Sequence, residues 1–257
     1  MPGQYMDGFR PGETAADARV GRVSELERTW PGGSQRQPSR TDTGWSVRAP
    51  LAAWLRSEGQ AAAGKRVLDV GCGLKPYYPF FAAAAEYVGV DVVETPSTDL
   101  IGPIESLPVD DGSFDIVLCT QVLEHADDPA AAVRELHRVT RPGGRVLAST
   151  HGVQVFHPNP NDFWRWTHTG LRRLFEVNGD WASIEVEPGA GTSAGLAMLV
   201  ARFLHLLAKQ AHITAAARPV VAVINTGAAA LDARVALLRE PVPGALFANF
   251  HVTAVKP

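Results

Sequence analysis

The chain is expected to be an α/β protein built on a doubly wound, mostly parallel sheet, and three observations predict it. Short runs of consecutive apolar residues recur at 66–70, 87–91, 114–119 and 145–149. Such runs suit strands covered on both faces rather than strands wetted on one. Stretches with helical spacing lie among them, as crossovers between parallel strands require. Finally, 257 residues, 46% hydrophobic and 20% charged, are enough for one large core and short of two full domains.

The elements follow in order. Residues 1–44 are rich in Gly, Pro, Arg, Gln and Ser, and 31–44 (PGGSQRQPSRTDTG) has no apolar period. A flexible extension or lid is expected there, with a short helix across Glu13 to Arg28. The main domain then spans 45–257. Trp45 to Ala63 places Val47, Leu51, Trp54 and Leu55 on one helical face, with Pro50 in the first turn or breaking the helix. The first two strands are Arg66–Val70 and Tyr87–Asp91. Phe114–Cys119 and Arg145–Ser149 follow, separated by a helix from Asp128 to Thr140 that Pro142-Gly143-Gly144 should stop. Thr169 to Asn178 reads as a helix, and Ser183–Glu187 and Phe250–Val255 as the last two strands. The roughly sixty residues between those strands are too long for a structureless loop and read as two helices, near 193–213 and 217–239. This helical insert occupies about 190–245.

Charge and composition remove several classes. A formal net charge of −3 and a pI near 6.2 argue against nucleic acid as the main partner. Two cysteines, Cys72 and Cys119, exclude a disulfide-built fold. Both read as packing residues, Cys72 in a tight turn and Cys119 buried at a strand end. The start MPGQYMDGFRPGE has neither the basic opening nor the apolar run of a secretory leader, so a cytoplasmic location is expected. Arg202 and Lys209 interrupt the best apolar stretch, so no integral membrane segment is expected. No metal site is evident.

The chemistry concentrates where strands end. Val67-Leu68-Asp69-Val70-Gly71-Cys72-Gly73 runs from a strand into a turn, and Gly71 and Gly73 allow positive φ and a close approach of backbone to ligand. A GxG alone also suits a dinucleotide site, but the third glycine of that fingerprint is replaced by Pro76. The Tyr-Lys pair of short-chain dehydrogenases is absent too. Asp91 ends the second strand, where an acid can accept two ribose hydroxyls or, equally, cap a turn. His125 follows the strand at 114–119, and His151 and His157 follow the one at 145–149; each is a candidate base or a structural histidine. Asp162 is a weaker candidate. The segment 157–167 (HPNPNDFWRWT) mixes stacking rings with polar donors, a composition suited to a sugar ring, or to a core with Arg165 bracing the following helix.

Together VLDVGCG (67–73), VGVD (88–91), IESLPVDDGSFDIVLCTQVLEH (104–125) and ELHRVTRPGGRVLAST (135–150) resemble the class I S-adenosylmethionine-dependent methyltransferases, in their small-molecule branch. The aromatic segment is similar to that of methyltransferases associated with glycan or glycolipid biosynthesis. The resemblance covers about residues 65–178 and implies a Rossmann-like sheet with an antiparallel last strand. It implies S-adenosyl-L-methionine as cofactor, with Asp69, Gly71, Cys72 and Gly73 around the methionine part. It further implies Asp91, with Val92 beside it, at the ribose, Ile104 and Glu105 at adenine, and Thr120, Gln121 and Val122 beneath. The family often has an Asp two residues before that Glu; here Pro103 stands there, so backbone and packing must hold adenine. The link from Asp91 to Ile104 is too short for a full crossover helix and strand. The expected activity is methyl transfer to a small-molecule, glycan or lipid-linked acceptor, with O-methylation the expected chemistry and His125, His151 or His157 as base. A non-catalytic S-adenosylmethionine-binding scaffold and an NAD-dependent oxidoreductase are the alternatives. The insert suggests a cap offering apolar surface to the second subunit of a homodimer, a lipid-linked acceptor or a membrane surface, or else two core helices with a solvated basic stripe.

Overall fold

The computed structural model describes residues 25–158 and 161–257. The expected helix across 13–28 lies largely outside them; residues 25–29 are helical. Seven strands form one sheet: β1 Arg66–Val70, β2 Glu86–Asp91, β3 Leu100–Ile101, β4 Phe114–Thr120, β5 Thr140–His151, β6 Ser183–Pro188 and β7 Asn249–Val255. Their order is β3-β2-β1-β4-β5-β7-β6, and β7 alone runs antiparallel to its neighbours. In the register Val70 faces Val90 and Cys119, and Thr120 faces Ser149. The carboxyl ends of β1, β2, β4 and β5 therefore meet along one edge.

The period-two geometry of strands explains why continuous apolar runs suit this sheet. Leu68, Val117 and Cys119 point to one face and pack with Val133, Leu136, Leu171 and Phe175. Val67, Ile116 and Leu118 point to the other and meet Leu51, Leu55, Phe80 and Phe81. The helix α1 (Trp45–Gly59) covers the second face, and α2 (Pro129–Val139) and α3 (His168–Glu176) cover the first. Asp128 caps α2 by accepting from Ala130 and Ala131 N–H, with Pro129 at the first helical position, where its missing N–H costs nothing. Thr167 caps α3 through Gly170 N–H.

Several elements differ from expectation. Pro50 lies neither in the first turn of α1 nor at a break, but inside an unbroken helix, as its sixth residue. The crossover from β1 to β2 holds only a 3-10 turn, Tyr78–Phe81. The abbreviated link after Asp91 is as expected, with a two-residue β3 and no helix. Pro142-Gly143-Gly144 does not form a separate stop; it lies within β5, whose register with β4 shifts between Phe114 and Ile116 to absorb it. The described part of the N-terminal extension is not loose. The buried Arg36 guanidinium donates to the carbonyls of Glu27, Trp30, Pro31 and Pro76, tying this segment to the loop after β1.

The insert forms α4 (Thr192–Gln210) and α5 (Thr214–Arg234), leaving and re-entering the sheet at its carboxyl edge. They pack on each other and on the start of α1. Asn225 and Asp232, polar positions of α5, are buried. Asn225 donates to the carbonyls of Arg40 and Asp42, and Asp232 accepts Ser193 and Ala194 N–H, capping α4 from the neighbouring helix. The two-core-helix expectation does not hold, because Leu196, Leu206, Leu207 and Leu231 face outward. Both helices are long and apolar enough to cross a membrane by length and composition. Neither is an uncharged run: α4 contains Arg202 and Lys209, and α5 contains Arg218, Asp232 and Arg234.

Candidate functional site

Two adjoining cavities open along the carboxyl edge and share Gly71 and Gln121. One, of about 410 Å³, is lined by Asp69, Cys72, Gly73, Thr120 and, from the N-terminal segment, Gly32 to Gln35. The other, of about 380 Å³, is lined by Asp91, Val92, Ile104, Glu105, Val122, His125 and Asn161. Each falls in the size range of small-ligand sites, roughly 300–1,000 Å³. The edge thus brings together all eleven residues expected around a cofactor and one of the three histidines.

The glycine turn is shaped by sterics. Gly71 and Gly73 have φ of 69° and 50°, where other residues are strained. A Cβ on Gly71 would stand 2.3 Å from Val122 Cγ2, whereas one on Gly73 would meet open space. Gly71 and Cys72 N–H both bond Val90 O, which locks the turn to β2. Cys72 is buried, and burial pushes its thiol up to about 12, so it is no nucleophile; Cys119 is also buried.

Asp69 is buried, and desolvation pushes its carboxyl up to about 7 although Tyr87 Oη donates to it at 2.7 Å. Asp91 already holds the turn: Oδ2 accepts Gly73 N–H at 2.9 Å and Oδ1 accepts Val93 N–H at 3.0 Å. Each oxygen can accept a further bond. Glu105 accepts Asp127 and Asp128 N–H, fixing the loop before α2. Gln121 has φ of 58°, unusual without a glycine, and is held there by Ser149 and Asn249, to which its side-chain amide donates.

The three histidines form a triangle with ring centroids 6.1 to 6.5 Å apart. Only His125 lines the cavity, half-buried, with Nδ1 bonded to Asn161 O. Burial lowers its pKa below the usual imidazole value, leaving it neutral at pH 7. His151 is buried, and burial depresses it to about 3; His157 is exposed. Behind the triangle sits Glu124, which sequence reasoning does not single out. It is completely buried and pushed up to about 7 by desolvation; its Oε2 accepts from Thr150 Oγ1, and its Oε1 lies 3.2 Å from His151 Nε2. The available signal is an acid placed between Leu123 and a candidate histidine just past an apolar strand. Among the described residues, no group of three or more His, Cys, Asp or Glu could hold a metal.

The aromatic segment divides. Trp166 packs against the core, while Trp164 stacks on it at 5.8 Å and donates to Ala126 O. Phe163 and Phe156 are exposed. Arg165 does not brace the following helix; it pairs with Asp162 and donates to Val155 O, holding its own loop closed. Asn159 and Pro160 of this segment lie outside the described residues.

A dinucleotide site is disfavoured by the structure after the glycines. A pyrophosphate needs the N-terminus of a helix there, and the chain supplies Pro76 and a four-residue 3-10 turn.

Residues 68–148 match the methyltransferase domain family model. A ubiquinone biosynthesis O-methyltransferase from Bordetella bronchiseptica is 31% identical over 170 residues, 60% of this chain and 66% of that protein. One from Pseudomonas aeruginosa is 36% identical over 117 residues, 39% of this chain and 50% of that protein. The chain thus spans 50% to 66% of the length of these relatives. Among solved structures, the cyclase SpnF aligns with a TM-score of 0.53 at 19% identity, over 93% of this chain and 96% of its own. Haemonchus contortus phosphoethanolamine N-methyltransferase 2, solved with phosphomonomethylethanolamine and S-adenosylhomocysteine, aligns with a TM-score of 0.51 at 17% identity, over 91% of this chain and 60% of its own. Such identities speak to the fold alone. The matched segment runs from β1 into β5, so this part of the chain is a methyltransferase domain of the class I, S-adenosylmethionine-dependent kind.

Proposed function

We propose that the protein methylates a hydroxyl of a small-molecule acceptor, with His125 as general base. The residues present fit S-adenosylmethionine on three counts. Asp69, a buried carboxyl lacking a cationic partner of its own, would regain its charge beside the methionine amine. Asp91 retains acceptor capacity for the ribose after satisfying its turn. Val92, Ile104 and Val122 offer apolar walls for adenine, with Pro103 leaving its edge to backbone groups. When bound, the cofactor supplies an electrophilic methyl group on a sulfonium.

What this chain's residues contribute is alignment, exclusion of water and a place for the proton. His125 Nε2 takes the acceptor's hydroxyl proton, while Nδ1 stays bonded to Asn161 O. Glu124 and His151 stand behind it as a buried pair that positions the strand end. Phe163 and Trp164 beside Ala126 provide flat apolar surface for a ring-bearing acceptor, and a sugar or aromatic ring would both stack there. The observation that carries the reading is a neutral, half-buried histidine in the same cavity as Asp91 and Glu105. A screen of hydroxylated acceptors with labelled S-adenosylmethionine tests it. Labelled product that vanishes in His125→Ala, with S-adenosylhomocysteine still bound, supports the proposal. Cofactor binding without any turnover would instead leave a scaffold.

A further inference from the structure

The helical pair α4 and α5 is built inside out. Its polar residues Asn225 and Asp232 face inward, where backbone groups of 40–42 and 193–194 satisfy them. Arg202 is half-buried beside Gly44. The large apolar side chains face water. Leu196, Val200, Phe203 and Leu207 follow one another at four, three and four residues, a single stripe opposite the buried Ala194, Met198 and Ala201. Phe203 is 59% exposed and, on α5, Val223 is 73% exposed. Eleven of the twenty exposed large apolar side chains among the described residues fall between 196 and 237. Scattered exposed leucines need no explanation, but a concentration of this kind marks a contact surface.

Charge selects the partner. Residues 192–239 carry Arg202, Lys209, Arg218, Arg234 and Arg239 against Asp232 alone, and Asp232 is buried, although the chain as a whole is at −3. Arg234 lies eleven residues beyond Val223, about three turns, on the same outward line of α5. Two such basic surfaces would repel each other across a symmetric dimer. Crossing a bilayer would tear Asn225 and Asp232 from their partners and place them in hydrocarbon. An anionic lipid surface satisfies both features at once, taking up the apolar stripe and attracting the arginines. We propose that the α4–α5 pair docks the protein on an anionic bilayer, lying in the interface while the domain stays in water. The pair leaves the sheet at the carboxyl edge, so docking holds the cavity-bearing edge close to the membrane without any insert residue lining either cavity.

Sedimentation of the full chain with vesicles tests this. The protein should pellet with phosphatidylcholine vesicles containing phosphatidylglycerol, less with phosphatidylcholine alone, and less again at high salt. Phe203→Glu with Leu207→Glu should lower partitioning by at least about tenfold, and Arg234→Glu by about fivefold. All three positions are exposed, so the melting temperature and the affinity for S-adenosylhomocysteine should be unchanged. Failure to pellet, pelleting indifferent to these substitutions, or a dimer in light scattering that Phe203→Glu dissolves would each overturn the proposal.

Discussion

Asp91 and Glu124 are acids at or just past the ends of β2 and β4, strands that flank β1 on one sheet edge, yet their surroundings treat them in opposite ways. Asp91 is half-exposed and accepts two backbone N–H bonds, which hold the turn by themselves. Glu124 is wholly buried, meets a hydroxyl and an imidazole but no cation, and is pushed up to about 7. The β1–β2 half of the edge is preformed by backbone N–H bonds to the Asp91 carboxyl, the arrangement a binding site needs. The β4–β5 half holds Glu124, raised to about 7, behind a cavity-lining imidazole, the arrangement that proton transfer needs.

If the halves divide the work in this way, substitutions should separate binding from turnover. The largest effect is expected for His125→Ala, a fall in kcat of about 10²- to 10⁴-fold with cofactor affinity unchanged. A kcat within a few-fold of the parent would mean an acceptor that arrives already deprotonated. Next, Asp91→Ala should weaken S-adenosylhomocysteine by about 2–4 kcal/mol, roughly 30- to 900-fold, as ribose bonds and turn bonds are lost together. Titration calorimetry reporting an unchanged Kd would remove Asp91 from the binding half.

A subtler contrast concerns pH. Glu124 keeps its proton in the folded chain up to about 7, against an ordinary value of 4.5. The folded state therefore binds more protons than the unfolded one between those values, and stability falls as pH rises through that window. His151, depressed to about 3, works in the other direction, and stability rises with pH between about 3 and 6.5. Glu124→Gln removes only the first contribution. The variant should gain on the parent between pH 5 and pH 8, by on the order of 2 kcal/mol. Parallel melting curves across that range would show that Glu124 is ionised when folded. The smallest effect is expected for Cys72→Ala: affinity and kcat within about twofold, since the thiol packs in a turn and is not ionised. Loss of turnover with retained affinity would contradict that assignment.

Much of the binding half is legible in the sequence. Gly71 and Gly73 announce positive φ, and Asp91 ends an apolar run, so local geometry alone puts them at the sheet edge where the cavities open. Turn capping and ribose binding are rival readings of Asp91 in the sequence; in the fold its capping bonds leave acceptor capacity to spare. The proton-handling half is only partly legible. Three histidines after strands point to the right place, but nothing local distinguishes the cavity-lining His125 from the buried His151 or the exposed His157.

The strand runs, the glycine turn and the two long helices of the insert are written in local spacing, because each depends on residues only a few positions apart. The tertiary structure decided which way those two helices face. Periodicity marks a polar line through Asn225 and Asp232, and a polar line ordinarily faces water. Here Asn225 finds the carbonyl of Arg40, 185 residues away, and Asp232 finds the N–H of Ser193, 39 residues away. A buried polar group is tolerable once such partners exist. Their existence depends on where distant segments pack, and no local pattern encodes it. With the polar line satisfied inside, the leucines and Phe203 were left outside.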